Sequence, residues 1–141
     1  MTEYQDDQTC FACGNRNPIG LHMKVEYGQD RAFCRLRIPS EYQGWSKVVH
    51  GGIIATLLDE IMAHAVLHFV GQGVTGSLNI RFRSKSPTEE PLDIIGWVDR
   101  IKRRVVEARG EIRLASDGTL LAQGESRFML LPVQEFARTE T

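Results

Sequence analysis

The sequence lacks three features that would each point to a class of protein: abundant cysteine, an excess of charge of one sign, and internal repeats. Its 141 residues include only three cysteines, Cys10, Cys13 and Cys34, which cannot all pair within one chain, so no disulfide scaffold is expected. The 17 basic and 18 acidic residues leave a formal net charge of -1, and whole-molecule attraction to nucleic acid or to an anionic membrane is not expected. The basic clusters also lack the interleaved aromatic residues that bind single-stranded nucleic acid.

The first residues show neither the apolar stretch of a secretory signal nor the basic amphipathic pattern of a transit peptide, and we expect a cytoplasmic protein. Hydrophobic residues make up 42% of the chain and charged residues 25%, which is typical of a single globular domain. The polar start is broken by Gly14, Pro18 and Gly20. We therefore predict an irregular lead-in over 1–20, one domain over 21–133 and a polar tail over 134–141.

One long apolar segment runs from Gly51 to about Phe69 with a period near 3.6, which predicts a helix. It is nearly long enough to cross a membrane, but Asp59, Glu60 and His64 interrupt it, and a charge at the bilayer centre costs about 2.5–3.5 kcal/mol. A helix buried in protein is the better interpretation. Its apolar positions are Ile53, Ile54, Leu57, Leu58, Ile61, Met62, Ala65, Val66 and Phe69.

Alternating hydrophobic residues and turn signals predict strands on both sides of this helix. Two strands, 22–27 and 32–38, form a hairpin before it, and four follow it at 75–82, 92–101, 105–114 and 120–131. This order implies an antiparallel α+β sheet rather than alternating parallel units. A helix that is apolar on almost all sides also implies a strongly curved sheet that wraps around it.

The residues at the start of the helix are suited to binding a developing negative charge. His50-Gly51-Gly52 stands where the first N–H groups lack intrahelical partners and the helix dipole is positive. The glycines allow close approach, so the Gly51 N–H can act as an oxyanion donor to a carbonyl that becomes tetrahedral. The alternative is a Gly-Gly pair that only ends a loop.

Asp59 is the second candidate for chemistry, because a carboxylate among apolar neighbours is costly to bury without a partner. It fits a nucleophile on a thioester carbonyl or a general base on water. The alternative is a structural role as a cap or in a salt bridge.

The string HGGIIATLLDE at 50–60 resembles the signature of hotdog-fold acyl-CoA thioesterases, in the phenylacetate-catabolism branch of the 4-hydroxybenzoyl-CoA thioesterase superfamily. Four further strings, CFACG at 10–14, NPIGL at 17–21, YQGW at 42–45 and TGSLNI at 75–80, are similar to segments of that family. The resemblance implies an α+β hotdog fold, in which a curved antiparallel sheet wraps one long helix. It also implies hydrolysis of an acyl-CoA thioester to free acid and CoA, with no cofactor and no metal.

Carried over to this chain, the resemblance makes Gly51 the oxyanion donor, His50 the residue that orders the turn, and Asp59 the nucleophile or base. Thr75 matches the position of a residue that holds the attacking water. Some relatives place an Asn before the histidine, where this chain has Gln43-Gly44-Trp45, so either Gln43 substitutes or the role is absent. The expected substrate contacts are Gly52, Gln43, Trp45, Met62 and, for the coenzyme A phosphates, Arg100, Arg103 and Arg104. For these basic residues a solvated turn is the alternative.

Spacing along the helix adds a constraint on assembly. Gly51 and Asp59 are eight residues apart, about 12 Å along the axis, yet each must come within roughly 3 Å of the same carbonyl. Two antiparallel helices across a two-fold axis would bring Gly51 of one chain near Asp59 of the other and create two equal sites. We expect a homodimer, or a dimer of such dimers, that acts on acyl-CoA.

Two rival functions use the same fold, which cannot choose among them alone. One is a non-catalytic module that binds acyl-CoA or lipid, with Asp59 structural. The other is an enoyl-CoA hydratase, but the spacing of Asp59 and His64 is not that of a paired catalytic Asp and His.

Two weaker patterns offer metal ligands. Cys10-x2-Cys13 with His22, and with Cys34 or water, could bind zinc, although free packed thiols are favoured. Glu60, His64 and His68 share one helix face at spacings of four, where a polar stripe that faces solvent or a partner chain is favoured over a metal site.

Overall fold

The computed structural model describes residues 6–132, and the predicted tail at 134–141 lies outside them. The elements are β1 (Glu26–Tyr27), β2 (Ala32–Arg37), α1 (Gly51–Phe69), β3 (Gly73–Phe82), β4 (Pro91–Lys102), β5 (Val105–Leu114) and β6 (Leu120–Leu130). Helix α1 has the predicted bounds, and the six strands form one antiparallel sheet in the order β1-β2-β4-β5-β6-β3. A single turn of 3-10 helix at Ser40–Tyr42 lies between β2 and α1.

The hydrophobic core lies between α1 and the sheet. By length and composition α1 could cross a membrane, but it packs against β2 to β6, as a core helix does. Its buried residues are those predicted from the periodicity, except that Ile53 and Phe69 are only partly buried. The buried residues of α1 are Ile54, Leu57, Leu58, Ile61, Met62, Ala65 and Val66.

A row of glycines sets how closely the helix approaches the sheet. Gly96, Gly110 and Gly124 are paired in register across β4, β5 and β6. A Cβ atom at Gly96 would lie 2.8 Å from the carbonyl oxygen of Ile61, and one at Gly124 would lie 3.2 Å from Cε of Met62. Side chains are therefore absent where the backbone of α1 lies closest to the strands.

The first predicted hairpin is only partly correct. The structure has strand pairing at Glu26–Tyr27 rather than over 22–27. Residues 21–23 hydrogen-bond instead to the lead-in, from the Leu21 N–H to the Phe11 carbonyl at 2.8 Å and from the Met23 N–H to the Ala12 carbonyl at 2.9 Å. The lead-in thus packs on the domain and takes the place of a longer β1.

Candidate active site

The start of α1 is capped by the side chain of His50. Its Nδ1 accepts a hydrogen bond from the Gly52 N–H at 2.9 Å, and its carbonyl accepts from Ile53 and Ile54. The Gly51 N–H has no acceptor among residues 6–132, and Gly51 is exposed. Of the two predicted glycines, Gly51 therefore offers a free donor at the positive end of the helix dipole, whereas the Gly52 N–H is used by the cap.

The loop before the helix is held by its own hydrogen bonds. The Gln43 side-chain oxygen accepts from the Lys47 N–H at 3.0 Å, and the His50 N–H donates to the Tyr42 carbonyl at 2.9 Å. Trp45 protrudes from this loop and is 85% exposed. Gln43 thus braces the loop that leads to His50, and Trp45 is left free for contact with a ligand or a second chain.

Asp59 lies on a half-buried face of α1, opposite strand β3. Its Oδ1 accepts a hydrogen bond from Oγ1 of Thr75 at 2.8 Å, the one hydrogen bond to this side chain within the described part of the chain. Burial raises the pKa of Asp59 above its ordinary value; the hydrogen bond from Thr75 opposes this shift, and the nearby Glu60 charge adds to it. The carboxylate is therefore a stronger base than a solvated aspartate.

A β-bulge lies next to Thr75. Thr75 pairs with Phe128 and Ser77 pairs with Arg127, so Gly76 is the extra residue in β3. A bulge bends a strand and can redirect a neighbouring side chain. We did not predict this feature from the sequence, although an isolated glycine inside a strand pattern is its usual signal.

The structure brings the predicted catalytic residues together in two groups. His50, Gly51 and Gly52 form one group at the start of α1, and Asp59 with Thr75 forms the other, about 12 Å further along the helix axis. One chain therefore holds the predicted catalytic residues in two separate groups.

Met62 lies in the core of the single chain. It is fully buried, its sulfur lies 3.2 Å from the Ser126 hydroxyl, and it covers Gly110 and Gly124. We expected Met62 to be a substrate contact. Because its position is in the core of the single chain, we assign it to packing.

The predicted phosphate-binding residues lie on the side of the sheet that faces away from α1. Arg100 and Arg103 line a groove of about 600 Å³ beside Glu107 and Arg127. Val106 and Ala108 are buried under α1 while Glu107 between them is not, so this groove opens on the outer face of the sheet. Arg104 donates to the Leu130 carbonyl at 3.0 Å. The basic cluster thus converges at one end of β4 and β5, but it does not face Asp59.

Comparisons with known proteins agree with this architecture. The family model described as "Thioesterase superfamily" matches residues 46–121. Acyl-coenzyme A thioesterase 13 from Homo sapiens is 25% identical over 108 residues, which cover 75% of this chain and 77% of that protein.

Among solved structures, protein RHA08564 of the thioesterase superfamily superposes with a TM-score of 0.82 at 28% identity. The match covers 85% of this chain but 62% of that longer one. The E. coli PaaI protein from the phenylacetic acid degradation operon has a TM-score of 0.71 at 15% identity, with 77% of this chain and 83% of PaaI covered, and this likeness shows the fold alone. The predicted hotdog fold, one long helix against a curved six-stranded antiparallel sheet, is confirmed.

Proposed function

The chain belongs to the thioesterase superfamily and is a thioester hydrolase, and we propose that it hydrolyses acyl-coenzyme A to the free acid and coenzyme A. The observation that carries this proposal is the half-buried Asp59 carboxylate beside the Thr75 hydroxyl. The unpaired Gly51 N–H at the positive end of the same helix supplies the second component. A base and an oxyanion donor are the two groups that water attack on a thioester requires.

In the proposed reaction, Asp59 accepts a proton from a water molecule whose oxygen attacks the thioester carbonyl carbon. Thr75 holds the carboxylate and borders the position of that water. The Gly51 N–H donates to the carbonyl oxygen as it becomes negative. Collapse of the tetrahedral intermediate breaks the carbon–sulfur bond, and coenzyme A leaves as a thiolate that takes up a proton. Direct attack by Asp59, followed by hydrolysis of the resulting anhydride, is the alternative course.

We propose that each active site is shared by two chains of a homodimer, or of a dimer of dimers. The two groups of predicted catalytic residues are about 12 Å apart along α1, so each is a half-site that an isologous two-fold partner completes. Strand β3 supports this arrangement, because it is an edge strand that pairs only with β6 within the described sheet. It also exposes Val74, Leu78 and Phe82, and the Phe82 ring lies beside Gly51.

Mixing two inactive variants tests the shared site. Gly51→Pro removes the proposed donor, and the substitution suits the fold: proline is favoured at the first position of a helix, and His50 before it has the extended ψ of 137° that precedes proline. A heterodimer of Gly51→Pro and Asp59→Asn chains holds one site with both lesions and one with neither. About half of the activity per heterodimer should return.

A mixture of two variants altered at the same residue provides the control. Mixing Asp59→Asn with Asp59→Ala chains leaves a lesion in every site, so no activity should return. No recovery in the first mixture, with both variants folded and exchanging subunits, would refute the shared site.

The rival hydratase finds no support in the geometry. His64 is five residues from Asp59, about 140° around the helix, and it contacts Glu60 and Tyr27 instead. If the chain is instead a non-catalytic binding module, the wild type has no thioester turnover that Asp59→Asn could remove. Measuring the turnover of the wild type and of this variant therefore distinguishes the binding module from the enzyme.

A further inference from the structure

Two weak patterns in the sequence meet in one cluster in the structure. Cys10 and Cys13 in the lead-in face Glu60 on α1, and their ligand atoms all lie within 4.8 Å of one another. The Cys10 sulfur is 3.7 Å from Oε2 of Glu60, and Nε2 of His64 is 3.1 Å from the same oxygen. The ligands first considered with the cysteines are not part of this group: His22 is exposed, and Cys34 is buried in β2.

The separations among the two sulfurs and the Glu60 oxygen fit the coordination shell of a tetrahedral ion, and Nε2 of His64 lies beside that oxygen, just outside the group of three. Zinc binds sulfur at about 2.3 Å and nitrogen or oxygen at about 2.0–2.1 Å, which places neighbouring ligand atoms about 3.3–3.8 Å apart. The observed sulfur–oxygen distance of 3.7 Å and nitrogen–oxygen distance of 3.1 Å are close to these values. Thiolate, carboxylate and imidazole are each ligand types that zinc binds.

Surrounding groups hold each ligand in place. Nδ1 of His64 is 2.7 Å from the Tyr27 hydroxyl, which leaves Nε2 directed at the cluster. The Cys13 N–H points at the Cys10 sulfur at 3.5 Å. The turn between the cysteines closes on Gly14, where a Cβ atom would lie 2.4 Å from the Cys10 nitrogen, so this tight turn requires glycine.

The cluster is reachable from solvent through a cavity of about 420 Å³. Asp6 and Asp7 stand at its rim, and their charges favour entry of a cation. The side chains of Glu60 and His64 are only 19% and 20% exposed, so an ion bound there would be largely enclosed by protein.

We propose that Cys10, Cys13, Glu60 and His64 form a structural zinc site that fastens the lead-in to α1. Binding converts the two thiols to thiolates and releases their protons to solvent, and the ion draws in Nε2 of His64 as the fourth ligand. The site is adjacent in sequence to Asp59 but lies on another face of the helix. It contributes to the position of α1, not to the chemistry at the thioester.

The test uses the full chain, produced without a polyhistidine tag, reduced, equilibrated with Zn²⁺ and then freed of unbound metal. Elemental analysis should find about one zinc per chain, and Co²⁺ in its place should show thiolate-to-metal absorption. Cys10→Ala, Cys13→Ala and Glu60→Gln should each weaken zinc binding by about 100-fold or more. The matched controls Cys34→Ala and His68→Gln should keep it, whereas His64→Gln should not.

Several results would overturn the proposal. The first is a folded, reduced wild-type chain that binds less than a tenth of an equivalent of zinc, which needs no variant to interpret. A second is zinc that stays bound after both cysteines are replaced, and a third is a Cys10–Cys13 disulfide in the protein isolated under reducing conditions. Zinc should also raise the melting temperature of the wild type and leave that of Cys13→Ala unchanged.

Discussion

Asp59 and Glu60 are adjacent carboxylates on one helix, yet the chain places them in opposite surroundings. Asp59 faces the edge strand β3 and accepts one hydrogen bond, from Thr75, and burial raises its pKa. Glu60 faces the lead-in. Burial raises its pKa too, but hydrogen bonds from His64 and Cys13, the His64 charge and the Cys10 thiol together hold the pKa of Glu60 below its ordinary value.

The difference shows how one helix can serve two tasks. Successive residues point about 100° apart, so neighbours in sequence meet different parts of the fold. A carboxylate with one donor keeps lone pairs for a substrate or a water molecule. A carboxylate surrounded by donors is fixed in place, which suits an anchor or a metal ligand.

The largest effect should come from removing the charge on each carboxylate in turn. Asp59→Asn keeps the size of the side chain but removes its basicity, and kcat for acyl-CoA hydrolysis should fall on the order of 100-fold or more, with binding retained. Glu60→Gln, the matched change one residue later, should alter turnover much less and act instead on melting temperature. Steady-state kinetics on folded dimers decide this, and equal losses of kcat would remove the distinction.

Thr75→Val should have the next largest effect. It keeps a β-branched shape on β3 but removes the hydroxyl that donates to Asp59. A hydrogen bond to a charged group contributes about 1.5–3 kcal/mol, so kcat should fall about 10- to 100-fold, and Thr75→Ser should restore most of it. If the Thr75→Val variant were as active as the wild type, Asp59 would need no hydrogen bond from residue 75 to hold it in position.

Both carboxylates depend on the close packing of α1 against the sheet, which the row of glycines makes possible. At Gly96 a Cβ atom would meet the Ile61 carbonyl at 2.8 Å, and backbone cannot move aside as a flexible side chain does. Gly96→Ala should therefore cost about 1–3 kcal/mol in unfolding free energy. Gly28→Ala, where the nearest atom is 3.6 Å away, is the control. Denaturant unfolding would measure both, and equal stability would contradict the close approach of α1.

The sequence predicted the helix and the later strands closely because their patterns are local. Periodicity marked α1 from Gly51 to Phe69, and turn residues delimited β5. The early strand was too long by four residues, since the lead-in competes for the backbone at 21–23. Periodicity also could not tell that Met62 lies under the sheet glycines while Asp59 faces outward from them.

The features of the site that depend on one short segment could be predicted from the sequence. The features that depend on packing between distant segments could not. The cap by His50 follows from residues 50–52 alone. The contact between Cys10 and Glu60 joins residues fifty positions apart through a lead-in without regular structure, which no spacing rule covers. The bulge at Gly76 depends on the register of β3 with β6, which is a property of the sheet.

The smallest effect should come from the basic residues, which belong neither to the surroundings of Asp59 nor to those of Glu60. Arg100 and Arg103 border a groove on the outer face of the sheet, where guanidinium groups can bind phosphates of coenzyme A without touching the reacting atoms. Replacing both by Ala should raise KM for acyl-CoA a few-fold and leave kcat unchanged, the pattern of lost uniform binding. Arg109→Ala is the control, because this arginine on the same face already pairs with Asp99 and Glu125, and KM should stay constant. An acyl-pantetheine substrate, which lacks the nucleotide, should be insensitive to all three substitutions. An unchanged KM for acyl-CoA in the double variant would reject phosphate binding and leave the cluster as a solvated turn.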